Sequence, residues 1–572
     1  MEISKVKLVG YRNYLNTEIK FQSKTLIIGA NDCGKTNLIY ALRLLLDKSL
    51  SENDIEPRET DFNINRNGEQ ANEIIIDIHF KEINEDAVIS TLKGSISNEK
   101  TCVIRYKAER SNLQYQIYCG PTDYQLSPLN GRYYLKYLYL KYVKSRRDLE
   151  KFVLSEKKQL LKLAQETRTT EQEIHDAKIL RKIEKGLTNI NQRVRKLNYV
   201  TNATSAVNEE LLKLSHDLTE YAVHLDSGAI ETQQFIDSLK LSASTSGAKI
   251  SLGGDGRNNQ ILMALWKAKS QREFDPDSEV VFYCIEEPEA HLHPHQQRKL
   301  ADYLIKDLPG QTLITSHSPQ ITARYSPDSI IHIKHSSIGS IAASGGCSKC
   351  ISIEWDNLGY RMSILPAEAF FAKAVLLVEG PSELLFYTEL ARALNIDLDY
   401  YNISILSVDG VQFEVYTRIL EAMEIPWVMR TDNDISNITY QKNELKQLAG
   451  INRCLKICKL DPLEHQSLET TVLDIIKTGI WEATSKKINP LGVYLAYVDL
   501  ETDISYELEK QLLLFSKKTK IEDAINYLQK QKAIRMRSFL AEHSKSLAEL
   551  KNGYLAEPLL HCIEKAKSES NV

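Results

Sequence analysis

Residues 374–394 read AVLLVEGPSELLFYTELARAL, and residues 425–436 read IPWVMRTDNDIS. The apolar run Ala374 to Val378 is short, uninterrupted and rich in β-branched residues, which predicts a buried strand. Glu379 and Gly380 stand at its end, Pro381 falls where a helix takes its first residue, and Leu384 to Leu394 has helical spacing. Glu383 then lies about one turn into that helix. A second strand, Ile403 to Val408, ends at Asp409-Gly410, and a third, Trp427 to Arg430, ends at Thr431-Asp432-Asn433-Asp434. Carboxylates at i and i+2 of an extended segment face one side. The C-terminal strand ends of an open α/β sheet line one crevice. The pattern therefore predicts that Glu379, Glu383, Asp432 and Asp434 converge. Any one of them alone reads as a solvated acid at a loop end. The ordered set would repel itself unless a hard cation neutralised it, and oxygen-only donors suit Mg2+ or Mn2+.

The chain has 572 residues, enough for two to four domains with sizeable cores. Charged residues make up 26% and hydrophobic ones 42%, the balance of a globular chain. No apolar run approaches the roughly 20 residues that span a bilayer. The start, MEISKVKLVGYRNY, lacks the basic-then-apolar form of a signal peptide, so no membrane association and a cytoplasmic location are expected. Nine cysteines in so long a chain are no disulfide framework. Cys347 and Cys350 have metal-like spacing without a second pair at zinc-ribbon distance, and read as a loop pair. The net charge of −4 excludes a DNA-coating polycation and leaves room for a local basic patch.

Upstream, Ile3 to Val9 and Glu18 to Phe21, leading into Lys24 to Ile28, read as strands. The last ends at Gly29-Ala-Asn31-Asp-Cys-Gly34-Lys35-Thr36, followed by a helix from Asn37 to Lys48. This is GxxxxGK[ST] between strand and helix. Gly29 and Gly34 let the backbone wrap phosphates together with Asn31 and Asn37. Lys35 reaches the terminal phosphate oxygens, and the Thr36 hydroxyl ligates magnesium. Ile74 to Phe80 and Cys102 to Tyr106 read as further strands. Residues 149 to about 220 have helical spacing, read as an inserted arm that packs helices or dimerises. Residues 133–147, YYLKYLYLKYVKSRR, could meet DNA phosphates through Lys136, Lys141, Lys144, Arg146 and Arg147; an amphipathic helix with a solvated face is the favoured reading. Gly253 and Gly254, in the loop Ser251 to Gly256 before a helical run, form an anion site. Glu279 to Ile285 reads as a strand ending in Glu286-Glu287, with Glu286 for the magnesium shell and Glu287 for orienting water. Gln311 to Ile314 runs into Thr315-Ser-His317; a histidine at a strand end reads by itself as a satisfied hydrogen-bonder, and beside the other loops as a γ-phosphate sensor. Residues 335–364 are small-residue-rich, a hairpin or a linker.

The carboxylate set resembles the TOPRIM domain of topoisomerases, bacterial primases and OLD-family nucleases over about residues 370–505. The order of P-loop, helical insertion, SLGGDG, IEEPEAHLHP and TSHSP resembles ABC-type ATPases of the SMC, RecF and OLD group. In that group two heads sandwich nucleotide, the glycine loop of one meeting the γ-phosphate held by the other. Three departures stand out. Ser251 lies one residue further from the glycine pair than usual, Asp255 replaces a glutamine, and Glu286 stands where aspartate is usual. They are compatible with ATP binding and slow turnover. The fusion resembles OLD-family nucleases, and NDCGKTNLIYALRLLLDK is most similar to the nuclease subunits of Gabija anti-phage systems.

The resemblance implies an α/β chain in three parts: an ABC/SMC-like ATPase domain with its helical insertion (residues 1–365), a TOPRIM nuclease domain (366–505) and a helical C-terminal part completing it (506–572). It implies ATP and Mg2+ or Mn2+ as cofactors, and endonucleolytic cutting of double-stranded DNA. It further implies a homo-oligomer (a dimer or a tetramer as a dimer of dimers) and a UvrD-like helicase partner. A late acid and a lysine are carried over as Glu501, ahead of Asp499 and Asp503, and Lys532, ahead of Lys530. Two rivals stand beside it: a RecF/SMC-like DNA clamp without nuclease activity, and a topoisomerase-like enzyme. The latter needs a tyrosine nucleophile on a DNA-gripping domain for which little length remains.

Overall fold

The computed structural model describes residues 1–144, 161–162, 164–214, 242–245, 248–251, 279–290, 292–347, 367–410, 412–440 and 443–570. The chain forms two compact units. One comprises Met1–Ser145, Asp275–Glu289 and His293–Val572; the other comprises Arg146–Phe274 and Ala290–Leu292.

Among the described residues the first unit holds a twelve-stranded sheet, a four-stranded sheet and a two-stranded hairpin. Its larger sheet begins with β1 (Glu2–Tyr11), β2 (Tyr14–Lys20) and β3 (Lys24–Gly29), followed by β4 (Glu73–Lys81), β5 (Cys102–Glu109), β6 (Gln114–Gly120), β7 (Ser127–Leu129) and β8 (Leu138–Val143). In the second unit, β9 (Ser242–Thr245) and β10 (Ala248–Ser251) form a hairpin, and the helices Thr170–Arg195 and Asn198–Leu214 confirm helix in the inserted arm. The larger sheet is completed by β11 (Val280–Glu286), β12 (Thr312–Thr315), β13 (Ile330–Ser336) and β14 (Gly339–Ala342). Its order is β7-β6-β5-β4-β1-β2-β14-β13-β3-β12-β11-β8. From β7 to β13 every pairing is antiparallel; from β13 to β8 every pairing is parallel. Parallel strands bury both faces, and β11, VVFYCIE, is buried at every position. The β13–β14 hairpin accounts for the first part of the small-residue stretch; residues 348–366, with Cys350, lie outside the described residues. Cys347 is buried beside Thr25, and burial pushes its thiol up to about 12.

One expectation fails. Residues 133–147 are not an amphipathic helix: Tyr133–Lys136 is one 3-10 turn, and Leu138–Val143 is β8, parallel to β11. Three consecutive buried residues, Leu138, Tyr139 and Leu140, suit a strand covered on both faces, and the helical spacing there is incidental. Arg146 and Arg147 lie outside the described residues. Between Glu464 and Thr478 the helix is confined to Val472–Lys477, where Thr471 caps it and exchanges bonds with Asp474.

The smaller sheet is wholly parallel, ordered β16-β15-β17-β20, from β15 (Ala374–Val378), β16 (Ile403–Ser407), β17 (Trp427–Thr431) and β20 (Val493–Leu495). The hairpin β18 (Ser436–Tyr440) with β19 (Asn443–Gln447) sits between the last two in sequence. All five residues of β15 are buried. The helix Pro381–Ala393 packs Phe386, Tyr387 and Leu390 into one core with Leu376, Val378, Met536, Phe539, Leu547 and Leu559. Each such side chain contributes about 1.5–3 kcal/mol by burial, so the C-terminal helices and the sheet stabilise one another.

The two sheets are tied directly. His332 Nδ1 meets the Met423 carbonyl at 2.9 Å, Lys334 pairs with Glu424 at 2.8 Å, and the Ser344 amide donates to Glu424 at 2.7 Å. Within the smaller sheet Arg430, on β17, is fully buried and bonds Asp503, on the helix Leu500–Glu507, at 2.6 Å. Breaking a buried pair strands a charge. Arg430→Met should lower stability by about 3–5 kcal/mol, and Arg430→Met with Asp503→Leu should recover much of it. Denaturant titrations check this; a double variant no better than the single one contradicts it.

Candidate functional site

At the P-loop, Gly34 has φ 108° and Gly29 has φ 148°. A Cβ at Gly29 would lie 2.2 Å from the Ile333 carbonyl oxygen on the neighbouring strand, so both conformation and space require glycine. Lys35 opens the helix Lys35–Leu46, and its Nζ donates to the Gly29 carbonyl at 3.0 Å and the Ala30 carbonyl at 2.7 Å. Burial lowers its pKa. Thr36 is exposed at the helix start, and Asn37 is half-buried, bonded to Arg12 and Asn13. Asn31 is exposed in the loop.

β12 lies between β3 and β11, so His317 and the Glu286-Glu287 pair face the same strand ends as the P-loop. His317 Nε2 is 3.5 Å from Glu287 Oε1. Burial and then Lys35 lower the His317 pKa, against Glu287. Glu286 is buried; its Oε2 accepts from Tyr142 at 2.6 Å, while its Oε1 has no hydrogen-bond partner among the described residues. Glu289, not singled out by the sequence, accepts from Ser316 Oγ at 2.7 Å and the His317 amide at 2.8 Å, fixing the loop after β12. Gly253 and Gly254 lie outside the described residues.

The second site gathers at the C-terminal ends of β15 and β17. Glu379 Oε2 accepts from Thr431 Oγ1 at 2.9 Å and from the Asp432 amide at 3.0 Å, which joins the two strand ends. Glu383 is buried in the first turn of its helix; burial raises its pKa and Arg430 opposes the rise. Asp432 is 7% exposed and Glu501 only 1%. Asp432 Oδ1 and both Glu501 carboxylate oxygens have no hydrogen-bond partner among the described residues. Burial raises both pKa values, with Glu379 adding to the rise at Asp432. Lys532, first residue of the helix Lys532–His543, places Nζ 3.5 Å from Glu501 and 3.9 Å from Asp432.

The runner-up acids are otherwise engaged. Asp499 caps the helix through the Thr502 amide at 2.8 Å and accepts from Gln529 at 2.7 Å. Asp503 takes Arg430 and the Tyr497 amide, and burial pushes its carboxyl up to about 6. Asp434 is half-exposed and held by Arg453, at 3.0 Å, on the helix Ala449–Ile457. Arg453 and Gly450 were not legible in the sequence, since nothing in their neighbourhood marks them. Gly450 lies against the acidic loop, its amide donating to the Asp434 carbonyl at 2.9 Å.

The all-oxygen set, with its orphaned buried oxygens, fits a hard divalent cation at Glu379, Glu383, Asp432, Asp434 and Glu501. The orphaned Oε1 of Glu286 is an oxygen donor of the kind magnesium takes. Among the described residues, the three metal-capable side chains already within 4.8 Å of one another are instead Asp77, His79 and Asp123. There Asp77 is held by Arg105 at 2.6 and 2.8 Å, while His79 Nε2 lies 3.3 Å from Asp123 Oδ1 and burial lowers the His79 pKa.

Comparison with known proteins agrees with this layout. A model described as an AAA ATPase domain matches residues 1–322, and one described as an overcoming lysogenization defect protein-like TOPRIM domain matches residues 370–434. The endonuclease GajA of Bacillus cereus (strain VD045) is 25% identical over 578 residues, covering 94% of this chain and 94% of its own. The OLD nuclease of Thermus scotoductus is 26% identical over 202 residues, 33% of this chain and 37% of its own. Among solved structures, an Smc head with an extended coiled coil, bound to a ScpA domain and derived from Pyrococcus furiosus, covers 63% of this chain and 98% of its own at 15% identity. Its TM-score is 0.37, a loose overlap, and the strand order is the firmer statement of fold.

A Cβ at Gly450 would sit 2.4 Å from the Asp432 carbonyl and 2.8 Å from the Asp434 amide. Alanine favours a helix by about 1 kcal/mol over glycine, but overpacking against backbone costs about 1–3 kcal/mol. Gly450→Ala should therefore displace the acidic loop and weaken Mn2+ binding, read by calorimetry. Undiminished affinity contradicts the placement.

Proposed function

Because the chain belongs to the AAA ATPase domain family and carries an OLD-like TOPRIM domain, we propose that it is a divalent-metal-dependent endonuclease acting on double-stranded DNA and regulated by nucleotide. The observation that carries this is the buried Asp432 and Glu501 carboxylates, whose Asp432 Oδ1 and Glu501 Oε1 and Oε2 have no hydrogen-bond partner among the described residues, with Lys532 Nζ 3.9 Å from Asp432 Oδ2 and 3.5 Å from Glu501 Oε2. A DNA clamp without chemistry has no use for such a cost, since an unpaired buried polar atom costs about 1–3 kcal/mol.

Glu379, Asp432 and Asp434 would hold one cation, and Glu383 with Glu501 a second. Bound there, the metal supplies Lewis-acid polarisation of the scissile phosphate and a water of lowered pKa. Thr431 and the Asp432 amide orient Glu379. Lys532, half-exposed at its helix start, is free to offset charge that develops on the phosphate. At the other site, Gly29, Asn31, Gly34, Lys35, Thr36 and Asn37 would cradle ATP, Glu286 would complete the magnesium shell, and Glu287 with His317 would orient water. Lys35 must leave the Gly29 and Ala30 carbonyls to reach phosphate. Because β13 pairs with β3 beside Gly29 and also grips Met423 and Glu424, a shift at the P-loop has a packed route toward β17 and Asp432. Gly253 and Gly254 would meet nucleotide held by a second copy, which makes a homo-oligomer, dimeric or tetrameric, part of the reading. The reading includes a role in anti-phage defence, a UvrD-like helicase partner and a cytoplasmic location, as the resemblance of its P-loop segment to Gabija nuclease subunits implies.

Supercoiled plasmid should be nicked or linearised with Mg2+ and not with EDTA, Glu379→Ala should abolish cutting, and Lys35→Ala should change its response to ATP. Cutting in EDTA, or by Glu379→Ala, would contradict the assignment. A pH signature follows from burial. Without cation, the raised pKa values of Glu383, Asp432 and Glu501 mean that the folded state holds extra protons. Their contribution to stability is full at low pH and falls as pH rises through the folded values. A cation must displace those protons, so Mg2+ should raise Tm over EDTA more at about pH 8 than at about pH 6. Equal increments would contradict it.

A further inference from the structure

Among the described residues, two cationic side chains form ion pairs with the acids of this site, and the two behave differently. Lys532 stands off at 3.5 and 3.9 Å with nearly half its side chain exposed. Arg453 is 13% exposed, donates to Asp434 Oδ2 at 3.0 Å, lies 3.5 Å from Glu379 Oε2 and donates to Thr431 Oγ1. It thus touches the two outer carboxylates of the set assigned to the first cation, as well as the threonine that orients one of them.

We propose that Arg453 is a built-in counter-cation: in the metal-free protein it stands in the place of the divalent ion between Glu379 and Asp434, and it is a positioning residue that sets how tightly that end takes metal. The proposal rests on the metal-site reading above. A guanidinium cannot shed its proton, so a metal can displace it only by making it move. Its fork fits carboxylates through directed bonds, which holds the two acids in place while the site is empty. An arriving dication must replace those bonds and overcome a positive charge a few ångströms away. Arg453 therefore keeps the empty acidic loop ordered while weakening its affinity for metal.

Mn2+ binding to the full-length chain, without ATP or DNA, separates this from simple bracing. Free Mn2+ is read by electron paramagnetic resonance, with Glu379→Gln as the control for this site. Arg453→Gln should bind Mn2+ roughly tenfold more tightly than the parent chain, the sign expected for removing a nearby like charge. Arg453→Lys, which keeps the charge, should stay within about threefold of the parent. A brace would give the opposite result, and unchanged or weakened affinity in Arg453→Gln overturns the proposal while leaving the metal site intact. If Glu379→Gln binds Mn2+ as the parent does, the metal-site reading falls, and this proposal with it. Should Arg453→Gln fail to fold, the parent chain still decides. Phenylglyoxal should modify Arg453 faster with Mn2+ bound than without, read by peptide mass spectrometry, and metal-independent reactivity overturns the proposal.

Discussion

The buried pair between Arg430 and Asp503 is the constraint on which the acidic site depends. Arg430 sits on β17, two residues before Asp432, and Asp503 sits two residues after Glu501. Their bond joins a strand end to a helix start 73 residues away in sequence. It adds a side-chain tie to the backbone bonds between the two segments, from the Ala496 amide to the Thr431 carbonyl and from the Asn433 amide to the Val498 carbonyl, both at 2.9 Å. The pair is not an optimised stabiliser. Arg430 Nε and NH1 have no hydrogen-bond partner among the described residues, and a buried ion pair often does no better than an apolar replacement. What it supplies is position and charge. The same guanidinium offsets the burial of Glu383 and Asp432, so it holds together a cluster that would otherwise repel itself.

Much of this was legible in the sequence because it is local. A β-branched strand ending in Glu-Gly, a proline-started helix with Glu383 in its first turn, and an Asp-x-Asp after another strand each follow from spacing along a few residues. The P-loop is legible for the same reason, since its glycines answer to backbone conformation. The choice of Glu501 over its neighbours came from resemblance, and the structure adds a physical reason: Asp499 is spent on capping and Asp503 on Arg430. Of the two lysines considered, Lys532 is the one within ion-pair reach of the acids.

What escaped is long-range. Arg453 and Gly450 act only because the helix Ala449–Ile457 is laid against the acidic loop. Glu289 acts only because its strand end meets the loop after β12. The segment around β8 is ambiguous in sequence because Tyr, Leu and Lys repeat at spacings that suit both a helix and a strand covered on two faces. Only its pairing with β11, more than a hundred residues later, decides between them.

The central claim is that these separate carboxylates form one place for divalent metal. Anomalous scattering from a crystal grown with Mn2+ locates the ion without reference to activity. The account predicts a peak coordinated by Glu379, Asp432 and Asp434, with a second beside Glu383 and Glu501. Manganese absent from that crevice at saturating concentration would contradict it.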